Sequence, residues 1–182
     1  MHRVTESIEI NSPIEKVFSF LRNVEDRMRL SPVYRLLSFT KLTDGNVGVG
    51  TRFRIVLLSS GKRSEYESEV VEFVENRRIA TRDTNGRMRL TLTLREVPRG
   101  TLLTHDEEFV IPADLLYPVE DDERPLWQKV LQSIISLDKA RFVDREREER
   151  IEAIKSNLSN NLRLWLNRIK EVIESGGSGG ML

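Results

Sequence analysis

Within the 182-residue chain, His105 and Glu107 are the residues whose types and spacing point most directly to chemistry. They stand two apart in residues 101–111, where side chains alternate across a strand. Leu103, His105, Glu107 and Phe109 therefore fall on one face. Leu103 and Phe109 are apolar, so that face turns inward and carries a histidine and a carboxylate into the interior as neighbours. Such a pair can hand a proton to and from a bound molecule, or can anchor a ligand hydroxyl or carbonyl. The bland alternative is a hydrogen-bonded histidine at a rim or facing solvent. Tyr66 adds a phenol on residues 65–74, where two registers compete: Tyr66, Ser68 and Val70 inward, or Glu67, Glu69 and Val71. Asn161 lies beside the apolar stripe of the last helical segment, between Leu158 and Trp165. It either enters the interior or sits at the edge of the stripe.

These groups need walls. Residues 87–97 alternate cleanly, with Met88, Leu90, Leu92 and Leu94 on one side and Arg87, Arg89 and Arg95 on the other. Phe53 and Ile55 extend the apolar surface on the strand predicted at 51–58. In an ordinary domain these residues are core; around a cavity they are lining. The candidate ligand-binding set is thus Phe53, Ile55, Tyr66, Met88, Leu90, Leu92, Leu103, His105, Glu107, Asn161 and Trp165, with His105 and Glu107 as the catalytic candidates.

The elements that hold this set follow from period and punctuation. Residues 3–10 read as a strand. Ser12-Pro13-Ile14-Glu15 reads as a capping box opening a helix, with a second short helix over 24–30 ended by Ser31-Pro32. Strands follow at 34–42, 51–58, 65–74, 78–84, 87–97 and 101–111, separated by short turns, of which Asn85-Gly86 is the strongest hairpin signal. Residues 113–143 break the rhythm with an acidic loop and an amphipathic segment at 125–137. A long helix closes the chain, its stripe formed by Ile151, Ile154, Leu158, Leu162, Trp165, Ile169 and Val172. The tail GGSGGML, 176–182, is a flexible Gly/Ser segment. Consecutive hairpin-linked strands make an antiparallel sheet whose apolar face needs a cover, and the last helix is large enough to supply it.

Three stretches carry a resemblance: INSPIEKVFSFLRNVEDRMRLSP, VGVGTRFRI and VVEFVENRRIATR. They resemble the strand-to-helix entry, the glycine turn and the strand–turn–strand of the START-like superfamily, which includes polyketide cyclases, pollen-allergen-like proteins and lipid-transfer domains. The likeness spans roughly residues 3–111 and 145–174. It departs from many members at Leu30, where they carry Trp, and at the inserted segment 113–143. It implies an α+β helix-grip fold: a curved antiparallel sheet of about seven strands wrapped around a long C-terminal helix. The expected organisation is one domain, 1–175. The implied function is binding or transport of a hydrophobic small molecule such as a lipid, isoprenoid or polyketide. A cyclase or dehydratase on the same scaffold is the alternative, and an interaction module using the inserted helix is the third reading. The 125–137 segment would be a lid over the pocket or a homodimer contact.

Composition narrows the field. There is no cysteine, so disulfides, thiolate nucleophiles and Cys-bound zinc are excluded, and two histidines cannot build a histidine-rich metal site. Lys plus Arg equals Asp plus Glu at 29 each, so no net field draws the chain to nucleic acid or an anionic membrane. The cluster Arg77, Arg78, Arg82, Arg87 and Arg89 is interleaved with acids and reads as solvated surface. No P-loop, dinucleotide glycine motif, G-x-S-x-G elbow or H-E-x-x-H is present, so no cofactor or metal is expected. No apolar run nears the ~20 residues that span a bilayer, and the expected location is the cytoplasm.

Overall fold

The computed structural model describes residues 1–111 and 147–176. Its elements run β1 (His2–Ile10), α1 (Ile14–Arg22), α2 (Val24–Arg29), β2 (Arg35–Lys41), β3 (Arg52–Ser59), β4 (Lys62–Val74), β5 (Arg78–Asp83), β6 (Met88–Val97), β7 (Gly100–Phe109) and α3 (Arg147–Glu174). All seven expected strands form one antiparallel sheet, in the order β1-β7-β6-β5-β4-β3-β2. The segment 113–143, with the helix expected at 125–137, lies outside the described residues, as does the tail beyond 176.

Each turn follows its residues. Ser59 pairs with Lys62, and the two residues between them, Ser60 and Gly61, have φ of 48° and 76°. Both central residues are left-handed, as a tight hairpin requires. Asn85-Gly86 does not make such a turn, because only Gly86 is left-handed. The β5–β6 loop is wider, and Asp83 closes it: its Oδ1 accepts the backbone N–H of Arg87 (2.7 Å) and Met88 (2.8 Å). The capping box expected at Ser12 is likewise absent. Pro13 occupies the N-cap of α1 with no side-chain cap, while the Ser12 carbonyl accepts the Thr101 hydroxyl at 2.9 Å. Gly100, at φ 136°, lies so close to β1 that an added Cβ would stand 2.2 Å from the Ile10 carbonyl oxygen.

The outer face carries cross-strand ion pairs: Arg3 with Asp106, Arg52 and Arg54 with Glu67, Arg78 and Arg89 with Glu72. The inner face holds two apolar clusters. The larger joins Ile154, Leu158, Leu162, Leu166, Ile169 and Ile173 of α3 to Val17, Phe18 and Leu21 of α1 and to Ile79, Leu92, Leu103 and Phe109 of the sheet. The buried face of α3 thus turns through Leu166 and Ile173, and Val172 is only half-buried. The smaller cluster packs Val24 and Met28 of α2 on Leu36, Phe53, Ile55, Leu57 and Val70. Burying each of these large side chains contributes roughly 1.5–3 kcal/mol.

Polar ties clamp α3 across the fold. On one flank Glu6 of β1 accepts from the Ser159 hydroxyl and, at 2.8 Å, from Arg163 Nε. On the other, Trp165 Nε1–H donates to the Arg27 carbonyl at 2.7 Å, and Arg168 donates to the carbonyls of Leu30 and Ser31. Between the two clusters the sheet and α3 stand apart.

Candidate functional site: a buried polar cluster in the cavity under the last helix

The gap is a cavity of about 100 Å³ bounded by the sheet, α2, the 31–34 loop and α3. On the sheet side its floor is a cross-strand row in register: Glu107 opposite Leu90, and Leu90 opposite Thr81. Strict alternation on β7 buries Thr101, Leu103, His105, Glu107 and Phe109 together, so the inward histidine and carboxylate follow directly from the strand period.

The expected site residues divide into two groups. Ile55, Tyr66, Met88, Leu90, His105, Glu107, Asn161 and Trp165 all border the cavity. Phe53, Leu92 and Leu103 do not. Leu92 and Leu103 are packed in the larger core cluster and Phe53 in the smaller one. Alternation puts these three on the correct face. Where along a strand the inner surface leaves the cavity and meets α1 or α3 depends on sheet curvature, which the period does not encode. On β4 the inward set is Ser64, Tyr66, Ser68 and Val70. A bulge between Val70 and Glu72 then resets the pairing.

Several lining residues carry signals that a strand-by-strand search for chemistry passes over. Arg27 is 2 % exposed and shares a helix face with Val24 and Met28, at i, i+3 and i+4 spacing. Thr81 and Asp83 share their face with buried Ile79 by simple alternation. Tyr34 comes from the loop before β2. The lining is therefore more polar than the apolar wall alone implies.

Burial dominates the electrostatics. It lowers His105 to about 3, helped by the nearby Arg27 charge, so its imidazole is neutral at pH 7. Both ring nitrogens are buried without a hydrogen-bond partner among the described residues, and the ring meets Trp165 edge-on at 5.0 Å. Burial raises the Glu107 carboxyl to about 7. It lowers Arg27 to about 10, and pushes Tyr34 and Tyr66 well above the ordinary phenol value. Both phenols lie within the electrostatic reach of Arg27 and Glu107. A neutral imidazole, a carboxyl poised between its two forms, two protonated phenols and one guanidinium therefore converge on one small space. Among the described residues no three His, Asp or Glu side chains are grouped to hold a metal ion.

A curved antiparallel sheet gripping a long C-terminal helix defines a helix-grip domain. The chain belongs to the family described as polyketide cyclase / dehydrase and lipid transport, which it matches over residues 1–145. Solved structures agree on the fold. Protein NE0264 from Nitrosomonas europaea superposes with a TM-score of 0.61 at 11% identity, covering 95% of this chain and 94% of that one. Protein TTHA0849 from Thermus thermophilus gives 0.60 at 15% identity, covering 97% and 100%. Protein SA2116 from Staphylococcus aureus, titled as of unknown function, gives 0.60 at 11%, covering 96% and 94%. No curated protein matches the chain in sequence. Among the described residues no helix is long and apolar enough to cross a membrane.

Proposed function

We propose that this domain binds a small, largely hydrophobic molecule in the cavity beneath α3. The observation that carries the reading is the cavity itself, where apolar groups such as Ile55, Leu90, Leu158 and Leu162 surround a few converging polar side chains. That is the usual composition of a ligand site: burial supplies affinity and a few polar groups set orientation. Membership of a family whose description includes lipid transport fits this use.

The test is native mass spectrometry of gently purified protein, comparing the wild type with Leu158→Trp, which fills the space. A small-molecule adduct present in the wild type and lost in the variant supports the reading. An adduct that persists in the filled variant, or none in either protein, counts against it.

A second reading is favoured by one observation, the Glu107 carboxyl held near neutrality beside His105. A group with that proton affinity serves both as acid and as base at pH 7, which suits a cyclase or dehydratase. Glu107→Gln separates the two readings. A dehydrating enzyme would retain in the variant a molecule heavier by the elements of water than the one retained by the wild type. A binding protein would retain the same molecule in both.

A further inference from the structure

We propose that the molecule taken up by this cavity is a monoanion, an apolar body bearing one carboxylate-like group that docks on the guanidinium of Arg27. The inference rests on the binding reading above and specifies its ligand class.

Arg27 is the basis. It borders the cavity and is 2 % exposed. Among the described residues one of its five donors is used, Nη1 to the Leu21 carbonyl at 3.1 Å. Among the described residues no carboxylate lies in ion-pair range of it, although arginines on the outer face are paired with acids across the strands. Burying a guanidinium is costly unless a counter-charge meets it. The two acids in the lining do not serve. Asp83 turns its Oδ1 to the Arg87 and Met88 amides and makes no ion pair with Arg27 among the described residues. Glu107 shows no ion pair among the described residues, and burial favours its neutral form.

The neighbours point the same way. Tyr34 and Tyr66 are phenols that stay protonated, and His105 is neutral with both nitrogens unpartnered among the described residues. The guanidinium, the phenols and the imidazole can all donate into the cavity, and among the described residues no carboxylate pairs with the guanidinium, so the component that completes the cluster is an acceptor-rich group carrying negative charge. A cation would meet Arg27 with like charge. The space of about 100 Å³ admits a carboxylate carrying a ring or a few methylenes.

Calorimetry on the intact chain at about pH 6 tests this with two matched pairs, benzoate against benzyl alcohol and octanoate against octan-1-ol. The expected result is an acid bound at least tenfold more tightly than its alcohol. That ratio should fall to about one in Arg27→Gln and be partly kept in Arg27→Lys. Equal binding of acid and alcohol by the wild type overturns the anion inference and leaves the binding reading standing. An acid preference unchanged in Arg27→Gln overturns the assignment to Arg27. No binding of any of the four compounds overturns the cavity reading and this inference with it. The wild-type ratio decides the charge preference even if Arg27→Gln fails to fold.

Discussion

Glu107→Gln replaces the buried carboxyl with an amide of the same shape that does not ionise, and its effect on stability is expected to depend on pH in a defined way. In the folded wild type the carboxyl titrates near 7, against 4.5 for an ordinary glutamate. Below about pH 4.5 both folded and unfolded chains hold the proton, so the variant differs from wild type by a fixed offset. Between 4.5 and 7 the folded protein keeps a proton that the unfolded chain has released. The unfolded state then binds fewer protons, and wild-type stability falls as pH rises. At about 1.4 kcal/mol for each pH unit, the wild type loses about 3 kcal/mol relative to Glu107→Gln across that window. This is a large fraction of the ~5–15 kcal/mol that holds a domain folded. Urea denaturation followed by far-UV circular dichroism, at several pH values from about 4.5 to 7.5, reads it out. With a slope of ~2 kcal/mol per molar urea, the gap between the two midpoints should change by about 1.5 M. Because both proteins carry every other titrating group, including His105, those contributions cancel in the difference. A gap constant to within about 0.5 kcal/mol would refute the reasoning, since Glu107 would then ionise as a solvated carboxylate and not as the buried group described.

His105→Met removes two buried nitrogens that lack partners among the described residues, so stability at pH 7 is expected to be unchanged or higher by up to ~1 kcal/mol. Because the folded imidazole titrates near 3 against an ordinary 6.5, wild-type stability is lost as pH falls below 6.5, and the variant's advantage should grow over that range in acid titrations. A variant clearly less stable at every pH would show that the imidazole is well bonded. Trp165→Phe removes the donor to the Arg27 carbonyl and should cost roughly 1–3 kcal/mol in urea melts; a cost near zero would mean that α3 is not held there. Gly100→Ala drives a methyl against the Ile10 carbonyl and the Ser12 amide at a left-handed φ and should cost at least ~1–3 kcal/mol, seen as a lowered Tm. An unchanged Tm would show that β1 and the start of β7 can separate freely.

Much of the fold is legible in the sequence because hairpin-linked strands announce themselves by period and punctuation. On β7 the reading extends to the site: Leu103 and Phe109 flank His105 and Glu107 in strict alternation, so the apolar pair sets the direction of the polar pair. Tyr66 is harder, because Val70 and Val71 give both registers an apolar member, and only the bulge beside them lets the strand follow the first phase and then change. Arg27 stands in a six-residue helix rich in charge, where a buried arginine looks like one more solvated side chain. Its spacing from Val24 and Met28 is the available sign. Phe53, Leu92 and Leu103 mark the limit of periodicity: it chooses a face, while sheet curvature decides which part of that face borders empty space.

The pairing of β1 with β7, His2 opposite Phe109 and Ile10 opposite Thr101, also sets an order of events during synthesis. The first strand made has no sheet neighbour until the last strand exists, about a hundred residues later. At ~5–20 residues per second the ribosome leaves it waiting roughly 5–20 s. During that interval β2 to β7 can zip as successive local hairpins, while β1 stays an exposed ribbon with unpaired amides and carbonyls on both edges. Its alternating Arg3, Thr5, Ser7 and Glu9, which end on the solvent side of the finished sheet, keep that ribbon polar on one face. They thereby serve the nascent chain before they serve the folded one.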